Sequence, residues 1–384
     1  MPLGSLRALI ASVLVVALAG AASAQSPYGG LAPNYYVIEV ETGQVLAEQN
    51  ADIPLPPASM SKLLTLALLF DALRDGRVQM SSTWPVSQRA QDMGGSSMFL
   101  ETRHRPTTED LIRGIAVVSG NDAAVAVAEG LGGTEEAFAV MAQRRAEQLG
   151  MTESSIANAS GWPNPLHRMS LRDLGTLAMY LIQEHGQYYS YLGEREFTWN
   201  EITQPNRVPL LDAGIGLDGL KTGHTEEAGF SLVGSARQGS RRIIFVFSGL
   251  NSIGERSQEA ERIVNWAFRQ FAQQDLVEAG ETVATADVWM GEVDTVPLVT
   301  VEDVSILMPI MAGGVINARV EYEGPVAAPI LDGQELGRLV IEVDGMSPTV
   351  APLVAGQAVA QGGFMPRMRT AATVLASQLG LVRP

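Results

Sequence analysis

The sequence predicts an α/β fold: an antiparallel sheet with helices and a helical subdomain, followed by a small all-β sandwich domain and a C-terminal amphipathic helix. Three patterns carry this expectation. Strand-like runs at 35–40 and 44–47 flank Glu41-Thr42-Gly43, and three more runs, at 219–225, 230–237 and 242–247, are separated by short turns; these spacings suit a hairpin and an antiparallel meander. Helical periodicity fills the chain between the two groups of strands. Beyond about Asp275 the composition shifts to short Val-rich runs such as 283–289, 297–301 and 339–343, with frequent Gly and Pro and no helical period, which reads as a separate β domain.

Pro54, Pro56 and Pro57 break regular structure ahead of an apolar run that opens at Ser59 and continues past Leu73 to Gly76, a suitable C-terminal stop. Its apolar residues go nearly all the way round a helix, so this helix is expected inside the domain rather than on its surface. Residues 107–131 read as helix, break and helix, with Thr107 to Asp110 supplying a cap and an acidic first turn and Ser119-Gly120-Asn121 forming the break. A helix at 135–149, a Pro/Gly/Asn-rich stretch at 158–165 and a helix from Ser170 follow. Ala260, Ile263, Val264, Ala267, Phe268 and Phe271 recur at helical spacing and predict an amphipathic helix lying against the meander, whose sheet the first hairpin should join.

The two ends have their own signatures. Arg7, an apolar core over 8–20 and Ala22-Ser23-Ala24 form the three parts of a secretory signal, with cleavage expected after Ala24; the apolar core is short for a membrane span. At the other end Phe364, Met368, Ala371, Leu375, Leu379 and Val382 line one face, and the charged side chains are Arg367, Arg369 and Arg383. A basic-flanked apolar face on an acidic protein suggests a helix lying on an anionic membrane. The expected division is therefore a signal peptide (1–24), a catalytic domain (25–274), a β-rich domain (275–363) and a membrane-anchor helix (364–384).

A formal net charge of −16 argues against nucleic acid, since phosphate binding needs a basic face. There is no cysteine, hence no disulfide and no thiol nucleophile. The four histidines, His104, His167, His185 and His224, show no ligand-type spacing with carboxylates, so no metal is expected. The chain holds 24 Arg but only two Lys, Lys62 and Lys221. Lys, unlike Arg, can lose its proton when buried, which marks both as candidates for chemistry. Ser59 and Lys62 fall on one helix face, one turn apart, at the end where the helix dipole favours negative charge. Ser119-Gly120-Asn121 offers a hydroxyl and an amide at a tight turn. On a strand, Lys221 and Gly223 point to one face and Thr222 to the other, and Gly223 leaves room for a ligand backbone alongside.

Ser-x-x-Lys on a helix, a Ser/Asn turn and Lys-Thr-Gly on a strand, in that order, form the motif set of the penicillin-recognising serine acyl-transferases. The chain resembles the D-alanyl-D-alanine carboxypeptidases of the penicillin-binding protein 5 type in residues 45–52, Pro57-Ala58-Ser59-Met60-Ser61-Lys62, Ser119-Gly120-Asn121-Asp122-Ala123-Ala124 and Asp218-Gly219-Leu220-Lys221-Thr222-Gly223-His224-Thr225, and the likeness covers essentially the whole mature chain. It implies a β-lactamase/transpeptidase-like catalytic domain without a cofactor, acting on peptidoglycan stem peptides ending in D-Ala-D-Ala and inhibited by β-lactams, in the periplasm at the outer face of the cytoplasmic membrane. On this resemblance Ser59 is the nucleophile, Lys62 its base, Ser119 a proton relay, and Asn121 holds Lys62 and the substrate amide. Lys221 and Thr222 bind the substrate carboxylate with Arg256 in support and Arg207 as a weaker candidate. The backbone N–H groups of Ser59 and His224 form the oxyanion hole. An endopeptidase on the same scaffold remains the alternative, as does a class A β-lactamase, which needs a further carboxylate; the only acid between Met151 and Ser170 is Glu153, in a sequence that does not match the usual pattern.

Overall fold

The computed structural model describes residues 28–310, 316–343 and 346–363; the expected leader (1–24) and terminal helix (364–384) lie outside the described residues. Strands β1 (Asn34–Glu39) and β2 (Val45–Gln49) pair as the expected hairpin. The helices α1 (Lys62–Arg74), α2 (Gln88–Gln91), α3 (Thr108–Ala116), α4 (Asn121–Gly132), α5 (Glu135–Gln148) and α6 (Leu171–Glu184) follow. A small hairpin, β3 (Glu196–Trp199) and β4 (Ile202–Pro205), precedes the meander β5 (Leu217–Thr225), β6 (Gly229–Gln238) and β7 (Arg241–Leu250), and α7 (Ile253–Arg269) comes last. Hairpin and meander form one antiparallel sheet of order β2-β1-β7-β6-β5, which leaves β5 at an edge.

Both faces of this sheet are covered, which is why β7 reads as a continuous apolar run. Ile243, Phe245 and Phe247 enter a core shared with Ala260, Ile263, Val264 and Ala267 of α7. Ile244 and Val246 enter the other core, with Leu63, Leu66 and Leu69 of α1 and Leu174 and Leu177 of α6. The alternation is the two-residue period of a strand, and burying one such side chain stabilises by roughly 1.5–3 kcal/mol. Within the helical layer every residue from Lys62 to Ala72 is buried, so α1 runs through the middle of the domain as its all-round apolar pattern predicted. Thr107 and Asp110 make a reciprocal capping box at α3, with Asp110 N donating to Thr107 Oγ1 at 3.1 Å and Thr107 N to Asp110 Oδ2 at 2.9 Å.

Two expectations are corrected. Ser59 does not open a regular α-helix: residues Ala58–Ser61 form a 3-10 turn, closed by Met60 N donating to Pro57 O at 3.1 Å, and the α-helix starts at Lys62. Ala58 there has φ +48°, a left-handed backbone that helical periodicity does not reveal. Phe271, taken as the last residue of the α7 stripe, opens β8 (Phe271–Val277), its ring meeting Trp266 edge-on at 5.0 Å.

The β-rich part continues with β9 (Thr282–Trp289), β10 (Thr295–Thr300), β11 (Val304–Pro309), β12 (Ile316–Tyr322), β13 (Val326–Ala327), β14 (Glu335–Val343) and β15 (Thr349–Ala355). Six strands form a sheet of order β12-β14-β15-β10-β9-β13, and β11 pairs with β8 in a two-stranded ribbon. Ile306 of the ribbon shares a core with Ala286, Leu298, Ile341 and Leu353 of the sheet, so the layers are unequal in strand number. The two parts of the chain meet at Gln44, in the β1–β2 turn. Its side chain accepts from Leu307 N at 2.6 Å and donates to Leu307 O at 3.1 Å, satisfying both backbone groups of one β11 residue.

Candidate active site

The 3-10 turn before α1 places Ser59 Oγ 2.8 Å from Lys62 Nζ. Lys62 is fully buried, and Nζ also donates to the backbone carbonyl of Ser160 at 2.5 Å. Burial above all, and the Arg207 guanidinium after it, lower the Lys62 ammonium to a pKa of about 7, against a smaller opposing pull from Asp122. The pair is therefore a hydroxyl in hydrogen-bond contact with an amine that is substantially neutral at neutral pH.

The second motif occupies the α3–α4 break. Ser119 is buried with φ +63°, a costly backbone conformation for a side-chain-bearing residue. It is held by its neighbours: Gly120 N donates to Gly114 O at 2.8 Å and Asn121 N to Ser96 O at 2.7 Å. Asp122, fully buried, accepts from Ser97 Oγ at 2.6 Å, Met98 N at 3.1 Å, Leu100 N at 2.9 Å and Ala123 N at 2.9 Å, binding the 96–100 segment to the start of α4. Asn121 Nδ2 donates to Gly94 O at 2.7 Å. Lys62 Nζ makes its hydrogen bonds to Ser59 Oγ and Ser160 O, so the expected contact with Asn121 is not formed here, although Asn121 lines the same cleft.

The third motif lies on the edge strand β5. Lys221 is buried, with 1% of its surface exposed, and its ammonium is pushed well below the ordinary lysine range by burial and then by Lys62, Arg207 and Arg256. Thr222 is buried beside it. A Cβ on Gly223 would stand 3.0 Å from Pro57 O, 3.1 Å from Met60 Cγ and 2.6 Å from Ser231 Oγ, so the glycine also lets the turn that carries Ser59 pack against β5. His224 is exposed, its imidazole stacked on Phe230 at 4.0 Å, as suits a rim group. Arg256, in the first turn of α7, lies over the same Phe230 ring at 5.8 Å and donates to Arg207 O at 3.4 Å. Burial, with Arg207 adding to it, lowers Arg256 to about 10.

Ser59, Asn121, Ser160 and His224 line one cleft of about 520 Å³, which extends past Gly161, Trp162 and Asn164 to Arg168, Glu226 and Glu227. Glu153, the one acid that the β-lactamase alternative could have used, is not among the residues lining it. The site combines a hydroxyl next to a neutral-capable amine with a cluster of cations, Lys221, Arg207 and Arg256, an arrangement able to acylate the serine with a substrate that ends in a carboxylate. Sequence reasoning missed Ser160, which acts through a backbone carbonyl that any residue type carries, and Asp122.

A family profile for D-alanyl-D-alanine carboxypeptidase matches residues 21–251, and one for the C-terminal domain of penicillin-binding protein 5 matches residues 271–361. A D-alanyl-D-alanine carboxypeptidase of Bacillus subtilis is 35% identical over 338 residues, covering 86% of this chain and 86% of its own length. The crystal structure of penicillin-binding protein 5 from Haemophilus influenzae superposes with a TM-score of 0.79 at 31% identity, over 88% of this chain and 100% of that one. Penicillin-binding protein D2 from Listeria monocytogenes, solved in its ampicillin-bound form, superposes with a TM-score of 0.58 at 28% identity, over 64% of this chain and 100% of that one.

Proposed function

The chain belongs to the D-alanyl-D-alanine carboxypeptidase family of serine peptidases, and from that premise we propose that Ser59 is its nucleophile and Lys62 the general base. The observation that carries the assignment is the 2.8 Å contact between Ser59 Oγ and a fully buried Lys62 Nζ. The enzyme is a serine-type hydrolase that removes the terminal D-alanine from peptidoglycan stem peptides. In the proposed sequence, the C-terminal carboxylate of the peptide settles among Lys221, Thr222 and Arg256, with Arg207 adding to the field. The carboxylate supplies the counter-charge that the cation cluster lacks, so its arrival favours the ammonium form of Lys221.

Neutral Lys62 takes the Ser59 proton as Oγ bonds to the carbonyl carbon of the penultimate D-alanine. The oxyanion is received by the backbone N–H groups of Ser59 and His224, each such donor worth about 3–4 kcal/mol in acyl transfer. Ser119 passes the proton from Lys62 to the leaving nitrogen, the C–N bond breaks, and D-alanine departs. Water then cleaves the Ser59 ester by the reverse use of the same groups. Asn121 Oδ1, on the cleft wall, accepts from a substrate N–H. A β-lactam enters the same sequence, and the ampicillin-bound Listeria relative supports this reading.

Residues 1–24 are read as a cleaved leader, which places the mature enzyme in the periplasm, and residues 364–384 as a peripheral membrane anchor. No helix among the described residues is long and apolar enough to cross a membrane. Flotation of the full chain and of a form ending at Gly363 with anionic liposomes tests the anchor; equal flotation would remove it. The catalytic assignment is tested by incubating wild type and Ser59→Ala with a fluorescent penicillin and with a pentapeptide ending in D-Ala-D-Ala. Label and D-alanine release in wild type, with neither in the variant, is the expected result; label retained by Ser59→Ala would refute it.

A further inference from the structure

We propose that Asn158 is a positioning residue for the reaction: its side-chain carbonyl builds the tight turn that presents the Ser160 carbonyl to Lys62. The proposal rests on the reading of Lys62 as the base. Asn158 Oδ1 accepts from three successive backbone N–H groups, those of Ser160 at 3.2 Å, Gly161 at 2.8 Å and Trp162 at 3.1 Å, and Nδ2 donates to Trp162 O at 3.0 Å. The shortest of these bonds ends on the Gly161 N–H, which belongs to the same peptide unit as the Ser160 carbonyl. One peptide plane therefore stands between two hydrogen bonds, with Asn158 Oδ1 on its N–H and Lys62 Nζ, at 2.5 Å, on its oxygen. Bonds in such a chain polarise one another, so the first strengthens the second.

The same turn also bears on the nucleophile. Gly161 has φ +76°, and a Cβ on it would fall 1.8 Å from Ala58 O, so the backbone of the turn presses directly on the residue before Ser59. Asn158 is not needed to keep this segment attached to the domain. Thr65 Oγ1 donates to Ala159 O at 2.7 Å, Ala159 N to Glu135 Oε1 at 3.2 Å, and Ala157 N to His167 Nδ1 at 2.9 Å. Losing the Asn158 side chain releases the 160–162 backbone alone, which is the part that touches the catalytic pair.

The test compares wild type, Asn158→Asp and Asn158→Ala in acylation by a fluorescent penicillin and in D-alanine release between pH 5 and 10, with thermal unfolding alongside. Asp keeps the three acceptor bonds but carries a negative charge toward the peptide that contacts Lys62, so its acid limb should move up by about half a pH unit or more, with the rate returning to near wild type above it. Ala should lose roughly tenfold or more in kcat at every pH, with KM changed by less than about threefold. A limb unmoved in Asn158→Asp, or wild-type kcat in a well-folded Asn158→Ala whose only defect is a lower Tm, overturns the proposal alone. A wild-type profile with no ionisation near neutrality overturns the base assignment and this proposal with it. Should the Ala variant fail to fold, the Asp profile decides.

Discussion

Lys62 Nζ donates to Ser59 Oγ at 2.8 Å from a side chain that has no exposed surface, so on the proposed mechanism the protonation state of one buried amine controls the Ser59 hydroxyl. Its pKa of about 7 sets the sign of the pH response. Below that value Lys62 is an ammonium and has no lone pair for the Ser59 proton. Acylation should therefore fall about tenfold per pH unit on the acid side of neutrality and level off above it. Stopped-flow acylation with a chromogenic cephalosporin from pH 5 to 9 checks this. A rate still climbing tenfold per unit through pH 9 would mean that the lysine is not perturbed.

The same burial makes Lys62 a stability cost. Its folded pKa is depressed to about 7 whereas the unfolded chain titrates near the ordinary lysine value, about 10.4, so between these values the unfolded state binds the extra proton. Stability from this group thus rises with pH across that window and is lowest below it. Lys62→Met should unfold at higher denaturant than wild type at pH 6, by up to about 4 kcal/mol, and should lose that advantage by pH 10. Subtracting the two curves removes the titrating groups that do not interact with Lys62; Lys221, which does, remains in the difference. A constant difference across pH would contradict the assignment, and acylation should be abolished throughout.

Arg207 and Asp122 act on Lys62 with opposite sign. Arg207→Gln removes a cation, so the acid limb of acylation should move to higher pH by a few tenths of a unit to about one unit. Arg207 is exposed, so Tm should hardly change, while KM for the peptide carboxylate should rise. Asp122→Asn should move the limb the other way. It should also destabilise by about 2–4 kcal/mol, because an amide NH2 would face some of the donors that the buried carboxylate accepts from. Limbs shifting in the same direction in the two variants would show that the effect is not electrostatic.

Much of this was legible in the chain itself, and the reasons are specific. Lysine scarcity singles out Lys62 and Lys221 because Arg carries the other side-chain cations, whereas a buried Lys can lose its proton. The all-round apolar run after Ser59 announces burial, and the unbroken apolar run 243–247 suits a strand covered on both faces. What stayed hidden acts through the backbone or across long separations. Ser160 contributes a carbonyl, which residue type cannot signal, and residues 158–165 read only as a Pro/Gly/Asn-rich connection. Ala58 carries a left-handed φ that no alanine advertises, so the 3-10 turn at Ser59 read as plain helix. Phe271 fits the α7 period because a strand that begins right after a helix can place its first side chain in the same core.

Gln44 is another such long-range residue, and its removal separates structural from catalytic roles. In the sequence it sits beside a hairpin turn and looks like a surface residue; in the fold it has 2% exposure and takes both the N–H and the C=O of Leu307, across 263 positions of chain. Those two groups point away from the β8–β11 ribbon, so no strand neighbour satisfies them on that side. Gln44→Ala would leave a buried donor and a buried acceptor unpaired, at a cost of about 1–3 kcal/mol if water cannot enter. No residue of this turn is among those lining the cleft, and the variant should acylate with penicillin at the wild-type rate and the same pH profile. Urea unfolding followed by tryptophan fluorescence should report the loss, with a lower midpoint for the transition in which Trp266 of the α7–β8 junction is exposed. An unchanged midpoint would show that the Leu307 groups find other partners, and slowed acylation would mean that the β-rich part influences the catalytic cleft through this contact.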